Sequence, residues 1–314
     1  MKEYINTGNK DTRSGFGAGL TELGRTNPKV VALTADLKGS LKMDDFAAEN
    51  PDRFFECGIA EANMIGMAAG LAIDGYIPFA GTFANFATAR VYDQIRQSVC
   101  YSQTNVKIAA SHAGITLGED GATHQTLEDV GMMRMLPGMT VISPCDYNQT
   151  KAATIAAAEH NGPVYLRFGR PGVPNFTDPG EKFVIGKAIR LEEGDNISIF
   201  ATGHLVWEAI QAAKVLEEKG ISVDLFNIAT IKPLDKEAII ASAKKTGKVI
   251  CAEEHMIAGG LGEAVAGVLA SSGCPAKMKF IAIDDVFGQS GKPAQLMKAY
   301  GLDADHIVEA ALSL

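Results

Sequence analysis

The sequence predicts an α/β chain of two domains, each a mostly parallel sheet covered by helices. Three observations predict it. Short apolar runs rich in Val, Ile, Ala and Phe alternate with helix-length segments along the whole chain, the pattern of strands buried on both faces by crossover helices. The 314 residues exceed the size at which one hydrophobic core keeps growing. A stretch dense in Pro and Gly, PGVPNFTDPGEKFVIG, interrupts the alternation just past the middle. The domains are accordingly placed at 1–172 and 191–314, with a linker over 173–190.

Taken in order, the first helix is predicted over 13–26, where Phe16, Leu20 and Leu23 follow helical spacing and Asp11 or Thr12 can cap it. KVVALT (29–34) reads as a buried strand. The polar loop after it, ADLKGS, carries Asp36 and Ser40. A short strand over 54–57 is ended by Gly58, and a helix rich in small residues starts near Ala60 with Glu61 in its first turn. A strand over 76–80 is followed by GTFANF, which leads into a long helix to about residue 103. The strand over 106–111 ends in His112 and the loop AGITLGEDGATHQ. A strand over 139–143, a helix over 147–159 and a strand over 164–168 close the first domain at Gly169, Arg170 and Pro171. Beyond the linker, strands are predicted over 197–201, 222–227, 248–252 and 278–283, with helices over 205–219, 236–244 and 262–270.

The totals narrow the function classes. Net charge is −8 with no run of Lys or Arg, which argues against a nucleic-acid surface and leaves room only for a local site for a small anion. The five cysteines contain no CxxC pair, which argues against a zinc site or a disulfide framework and suits a reducing cytoplasm. The polar N-terminus lacks an apolar signal segment, and no apolar run reaches membrane-spanning length.

Polar residues gather where strands end. Asp36 and Ser40, Glu61, His112 with the loop to His124, and Arg170 are all expected at strand C-termini, so one cleft accounts for them economically. Each also has a plainer reading. Glu61 can serve the helix dipole. GEDGATHQ can be an acidic turn with a helix cap at Thr123. Phe83 and Phe86 can be core aromatics, or a stacking face for a flat ring. Arg13, His112 and Arg170 can be separate surface residues, or together a clamp for a phosphate. In the second domain Glu253, Glu254 and His255 follow a strand, and Gly259-Gly260-Leu261-Gly262 is better read as a tight helix entry than as a phosphate loop. His204 and Trp207 read as structural.

In this order and spacing, GIAEANM, GTFANF, SHAGITLGEDGATHQ and YLRFGRPGVPNF resemble the pyrimidine-binding half of a transketolase. AEEHMIAGGLGEA resembles the same family's C-terminal domain. The resemblance covers nearly the whole chain. It implies a thiamine diphosphate enzyme that moves a two-carbon ketol unit from a ketose phosphate to an aldose phosphate. Glu61 matches the glutamate that hydrogen-bonds the cofactor's aminopyrimidine ring, Phe83 and Phe86 the aromatic pocket for that ring, and Asp36 a residue close to the cofactor. Asp120 matches the acid that reads the donor's C2 hydroxyl, and His124 a histidine beside the reacting hydroxyls. Arg13, Ser40, His112 and Arg170 match the set that holds the sugar phosphate. Ala89 stands where the family often has a tyrosine, so that pocket has one wall fewer. The family binds the diphosphate through Mg2+ or Ca2+ with a GDG…Asn signature in a preceding domain; no GDG occurs in this chain. The resemblance therefore implies the C-terminal subunit of a split transketolase, with metal and diphosphate held by a partner chain in an α2β2 assembly. The alternatives are a 1-deoxyxylulose-5-phosphate synthase-like enzyme, the beta subunit of a 2-oxo acid dehydrogenase, and a non-catalytic subunit that keeps the fold.

Overall fold

The computed structural model describes residues 2–314. The first half contributes β1 (Asn9–Asp11), β2 (Val30–Thr34), β3 (Phe54–Glu56), β4 (Ile77–Phe83), β5 (Lys107–Ser111), β6 (Thr140–Ile142), β7 (Val164–Arg167) and β8 (Gly172–Pro174). The second half contributes β9 (Ile189–Glu192), β10 (Ile197–Ala201), β11 (Val223–Asn227), β12 (Thr230–Lys232), β13 (Lys248–Met256) and β14 (Lys277–Ile283). Two large sheets result, in the orders β12-β6-β7-β5-β4-β2-β3 and β14-β13-β10-β11-β9. Pairing is parallel throughout except at β12 and β9, which join antiparallel at one edge of each sheet. β1 and β8 form a separate antiparallel pair. The predicted two-domain, mostly parallel architecture is thus observed.

The inner strands are apolar for a physical reason: every residue of β2, β5 and β10 is buried, because helices cover both faces. The helix Thr12–Thr26 packs on the helix Tyr147–Glu159. The contact is close enough that a Cβ at Gly15 would overlap the Tyr147 carbonyl. The core does not stop at the domain boundary. One buried cluster runs from Val31, Met64 and Ala110 through Tyr165 to Phe200, Phe226 and Val249.

Four expectations need correction. The strand predicted over 76–80 runs on to Phe83, because β4 lies between β2 and β5 and its pairing with β5 continues to Phe83, beyond the pairing with β2 that ends at Gly81. The long helix predicted to residue 103 is broken. An α-helix at Ala84–Thr88 gives way to a 3-10 turn at Ala89–Val91, one α turn at Tyr92–Gln94 and a π-helix at Ile95–Tyr101. Residues 253–255 lie inside β13 rather than after it, since the pairing with β14 resumes at Met256 beyond a register shift. Two C-terminal helices, Pro293–Ala299 and Ala304–Leu312, were not anticipated. Among the described residues no helix is long and apolar enough to cross a membrane.

Candidate active site

Five neighbouring strands of the first sheet, β3-β2-β4-β5-β7, run parallel and end on one edge. The chain reverses its direction across the sheet here, since β3 and β4 lie on opposite sides of β2; this is where open α/β sheets leave a crevice. Each strand delivers a segment: 35–40 after β2, Glu61 after β3, Phe83 at the end of β4, His112 after β5 and Arg170 after β7. The N-terminus of the helix Thr12–Thr26 adds Arg13.

Glu61 opens the helix Glu61–Ile73 and is only 4% exposed. Its carboxylate accepts a hydrogen bond from Arg90 Nη1 at 2.8 Å. The Arg90 guanidinium carbon lies 4.1 Å from the Phe86 ring centre. Phe86 and Phe83 are stacked with centroids 5.9 Å apart. Phe83 stacks on His112 at 3.9 Å, and Phe86 meets His124 edge-on at 5.5 Å. Glu61 is therefore joined to His112 and His124 by a continuous band of planar groups. The sequence did not point to Arg90: it follows Phe86 by four residues, but the helix breaks between them, and its other partner, Glu61, is 29 residues away.

The second cluster is cationic. His112 takes the left-handed conformation at φ 60°, which His tolerates better than most residues, and this turns its ring back over Phe83. Its Nδ1 lies 2.7 Å from Ser111 Oγ. Burial, with Arg13 and Arg170 alongside, pushes the His112 pKa down to about 3, so the imidazole is neutral at pH 7. Arg13 donates to the Ser40 carbonyl at 3.0 Å. Its Nε lies 3.4 Å from Asp11 Oδ1 but is buried without a hydrogen bond. Burial lowers the Arg13 pKa against the pull of Asp11, and Arg170 adds to the lowering. Arg170 Nη1 donates to the Leu117 carbonyl at 2.8 Å and to Glu119 Oε2 at 3.2 Å. Two guanidiniums, a neutral imidazole and a buried N–H that makes no hydrogen bond, at one edge, make a site suited to a tetrahedral oxyanion.

The loop between these clusters turns at Gly118 (φ 95°) and Gly121 (φ 75°), which only glycine adopts freely. Asn85 Nδ2 donates to the Thr123 carbonyl at 2.9 Å, tying the loop to the helix after β4. The expected helix cap at Thr123 is absent, because the next helix starts at Asp129. Thr123 Oγ1 instead lies 3.0 Å from His124 Nδ1. Asp36 and Asp120 are exposed, and no hydrogen bond or ion pair joins either side chain to the two clusters. Asp36, at φ 57°, is held through its backbone N–H by Glu56 Oε1 at 2.7 Å. The glycine turn at 259–262 is closed to anions: Glu253 already accepts the Leu261 and Gly262 N–H groups at 2.6 and 2.8 Å.

Comparison with known proteins shows the family. Residues 9–175 match the family model of the transketolase pyrimidine-binding domain, and residues 186–307 that of the transketolase C-terminal domain. A protein of Methanocaldococcus jannaschii named as a transketolase C-terminal section is 48% identical over 96% of this chain and 95% of its own length. The 6-deoxy-6-sulfo-D-fructose transketolase subunit of Clostridium sp. (strain MSTE9) is 43% identical over 93% of this chain and 90% of its own. Among solved structures, a split gene transketolase described as an inactive beta4 tetramer superposes with a TM-score of 0.91 at 48% identity, covering 96% of this chain and 97% of that one.

Proposed function

Because the chain belongs to the transketolase family, with that family's pyrimidine-binding and C-terminal domains, we propose that it is the C-terminal subunit of a two-chain transketolase. It transfers a two-carbon ketol unit from a ketose phosphate to an aldose phosphate in the cytoplasm. The observation that carries this reading is the single sheet edge that gathers a buried carboxylate, two stacked aromatics and a cationic oxyanion site. The residues present fit one half of thiamine diphosphate: Glu61 is a buried acceptor for a ring nitrogen, and Phe83 and Phe86 offer apolar faces. The cofactor supplies the carbanion chemistry at the ketol carbon.

The remaining roles belong to this chain. Glu61 exchanges a proton with the aminopyrimidine nitrogen, which requires Arg90 to share or leave its carboxylate. Phe83 and Phe86 hold the ring's orientation, and Asp36 borders it. Arg13, Arg170 and neutral His112, with Ser40, hold the terminal oxyanion of the sugar. Asp120 accepts from the donor's C2 hydroxyl, and His124 bonds the hydroxyls near the reacting carbons. The diphosphate and its Mg2+ or Ca2+ are assigned to an N-terminal partner chain with a GDG…Asn motif, in an α2β2 assembly. The inactive beta4 tetramer of the similar split transketolase supports this division.

A second reading of the substrate has a specific support. The Clostridium relative is named for a sulfonated ketose, and two arginines beside a neutral histidine accommodate a sulfonate as well as a phosphate. One experiment tests both readings. The chain is mixed with a GDG-containing partner, thiamine diphosphate and Mg2+, and ketol transfer to ribose 5-phosphate is followed from xylulose 5-phosphate or from 6-deoxy-6-sulfofructose. Transfer only in the mixture, abolished by Glu61→Gln, is expected. Activity of the chain alone would sink the split-enzyme reading, and no transfer from any donor would leave the non-catalytic alternative.

A further inference from the structure

We infer that Glu254, from the C-terminal domain, is a positioning residue that holds the substrate loop 113–124 and, through it, Arg170; what the loop binds rests on the proposed function, whereas the positioning does not. Glu254 lies in β13 and is 3% exposed. Its Oε1 accepts the Thr116 N–H at 2.6 Å, across the domain boundary. Its Oε2 lies 3.3 Å from His204 Nδ1. Gly114, at φ 82°, sits so near that a Cβ there would overlap the Glu254 carboxylate. The next link is one residue on, where the Leu117 carbonyl accepts from Arg170 Nη1 at 2.8 Å. Two hydrogen bonds and one peptide therefore separate a carboxylate of the second domain from an arginine of the oxyanion site.

The chemistry requires an acid at this place. Two groups, the Thr116 N–H and the His204 Nδ1, converge on it, one at each oxygen, and a carboxylate offers an acceptor to both. Burial opposes the charge, but the His204 hydrogen bond and the nearby Arg167 outweigh it and keep the Glu254 carboxyl below its usual range. Arg167 also pins the backbone, its Nη2 donating to the Glu254 carbonyl at 2.9 Å, while both its Nε and Nη2 bond Asp129. The far end of the loop has a separate anchor, Gln125 Nε2 to the Gln289 carbonyl at 3.0 Å. Glu254 reaches no group in the cleft itself, so its contribution to turnover passes through the loop.

Glu254→Gln keeps the shape and turns an NH2 toward one of the two groups. In the full chain, amide hydrogen exchange of residues 116–121 is expected to accelerate about tenfold or more, the loss of one hydrogen bond to a charged group, while β10 and β14 keep their protection. Binding of inorganic phosphate, followed on the Arg170 side-chain NMR signals, is expected to weaken several-fold. In the assembled enzyme the variant should raise KM for phosphorylated sugars several-fold and leave kcat within about twofold. If Glu254→Gln does not fold, Glu254→Asp, which keeps the charge but withdraws it from Thr116, takes the same three measurements. Unchanged loop exchange, or unchanged phosphate affinity, in a folded variant overturns the inference. A loosened loop and weakened phosphate binding without ketol transfer from any assembly would instead remove the functional reading and leave the positioning intact.

Discussion

At the residue scale, the decisive property of the oxyanion site is that His112 is neutral. The site's positive charge comes from Arg13 and Arg170, and these same arginines, after burial, hold the imidazole pKa near 3. The consequence for stability has a definite sign. Between about pH 3 and 6.5 the unfolded chain takes up a proton at residue 112 that the folded chain refuses, so folding weakens as the pH falls. From pH 7 to pH 5 this amounts to roughly 2 kcal/mol. His112→Asn should lose that part of the pH dependence while the rest of the slope remains. Urea midpoints of both proteins at pH 5 and 7 check this, and parallel curves would show that His112 is not held neutral. Legibility at this scale followed chain position. Glu61, His112 and Arg170 were readable because each lies within a few residues of a strand's C-terminal end. Arg90 was not, because its two partners define it only in space: Glu61 lies 29 residues away, and the contact needs the break in the helix after Thr88.

At the element scale, two buried glutamates side by side in β13 have different tasks. Glu254 faces the substrate loop. Glu253 faces the helix Leu261–Ser271 and accepts its first N–H groups, replacing the side-chain cap that Gly260 at the N-cap position lacks. This accounts for the glycines: a Cβ at Gly260 would overlap the Glu253 carboxylate, and one at Gly262 would overlap Phe280. Burial pushes the Glu253 carboxyl up, with His255 and the two N–H groups opposing it. Glu253→Ala leaves buried helix donors unpaired and should cost about 1–3 kcal/mol. Faster exchange at Leu261 and Gly262, together with a lower urea midpoint, is the expected result, and a midpoint equal to that of the parent chain would contradict the capping role. Strands such as β2 and β10 were legible because nearly continuous apolar runs have few other uses. The broken segment 84–101 was not, since its Phe, Ala, Val and Ile spacing fits a regular helix equally well and only tertiary packing selects the 3-10 and π turns. β9 and β12 escaped notice because three- or four-residue edge strands carry too little periodicity to register.

At the scale of the whole molecule, the division into two α/β halves was legible from alternation and from the Pro- and Gly-rich break. The continuity of the core across that break was not. Phe200, Phe226 and Val249 look like the interior of a second domain, yet they pack in one cluster with Tyr165 and Val141 of the first sheet. The functional edge is thereby backed by both halves and open on its other side. There the helix Glu61–Ile73 turns Ala62, Asn63, Gly66, Met67, Gly70 and Ile73 to solvent, and Ile59 just ahead of it is 77% exposed. Glycine is a poor helix former, and a Cβ at Gly66 or Gly70 would meet nothing within 4 Å. Within this chain, then, nothing requires glycine at either place. Under the proposed two-chain assembly something does, because small residues let a neighbouring helix approach next to Glu61. Gly66→Glu separates the two cases. In the isolated chain it should fold at least as well as the parent, gaining up to about 1 kcal/mol of helix propensity. In the assembly it should clash and repel. Light scattering after size-exclusion chromatography of the mixture with the GDG-containing partner should show the complex lost or much weakened, while the variant alone keeps its circular dichroism and its urea midpoint. A variant that assembles like the parent would place the interface on another face and leave Gly66 unexplained.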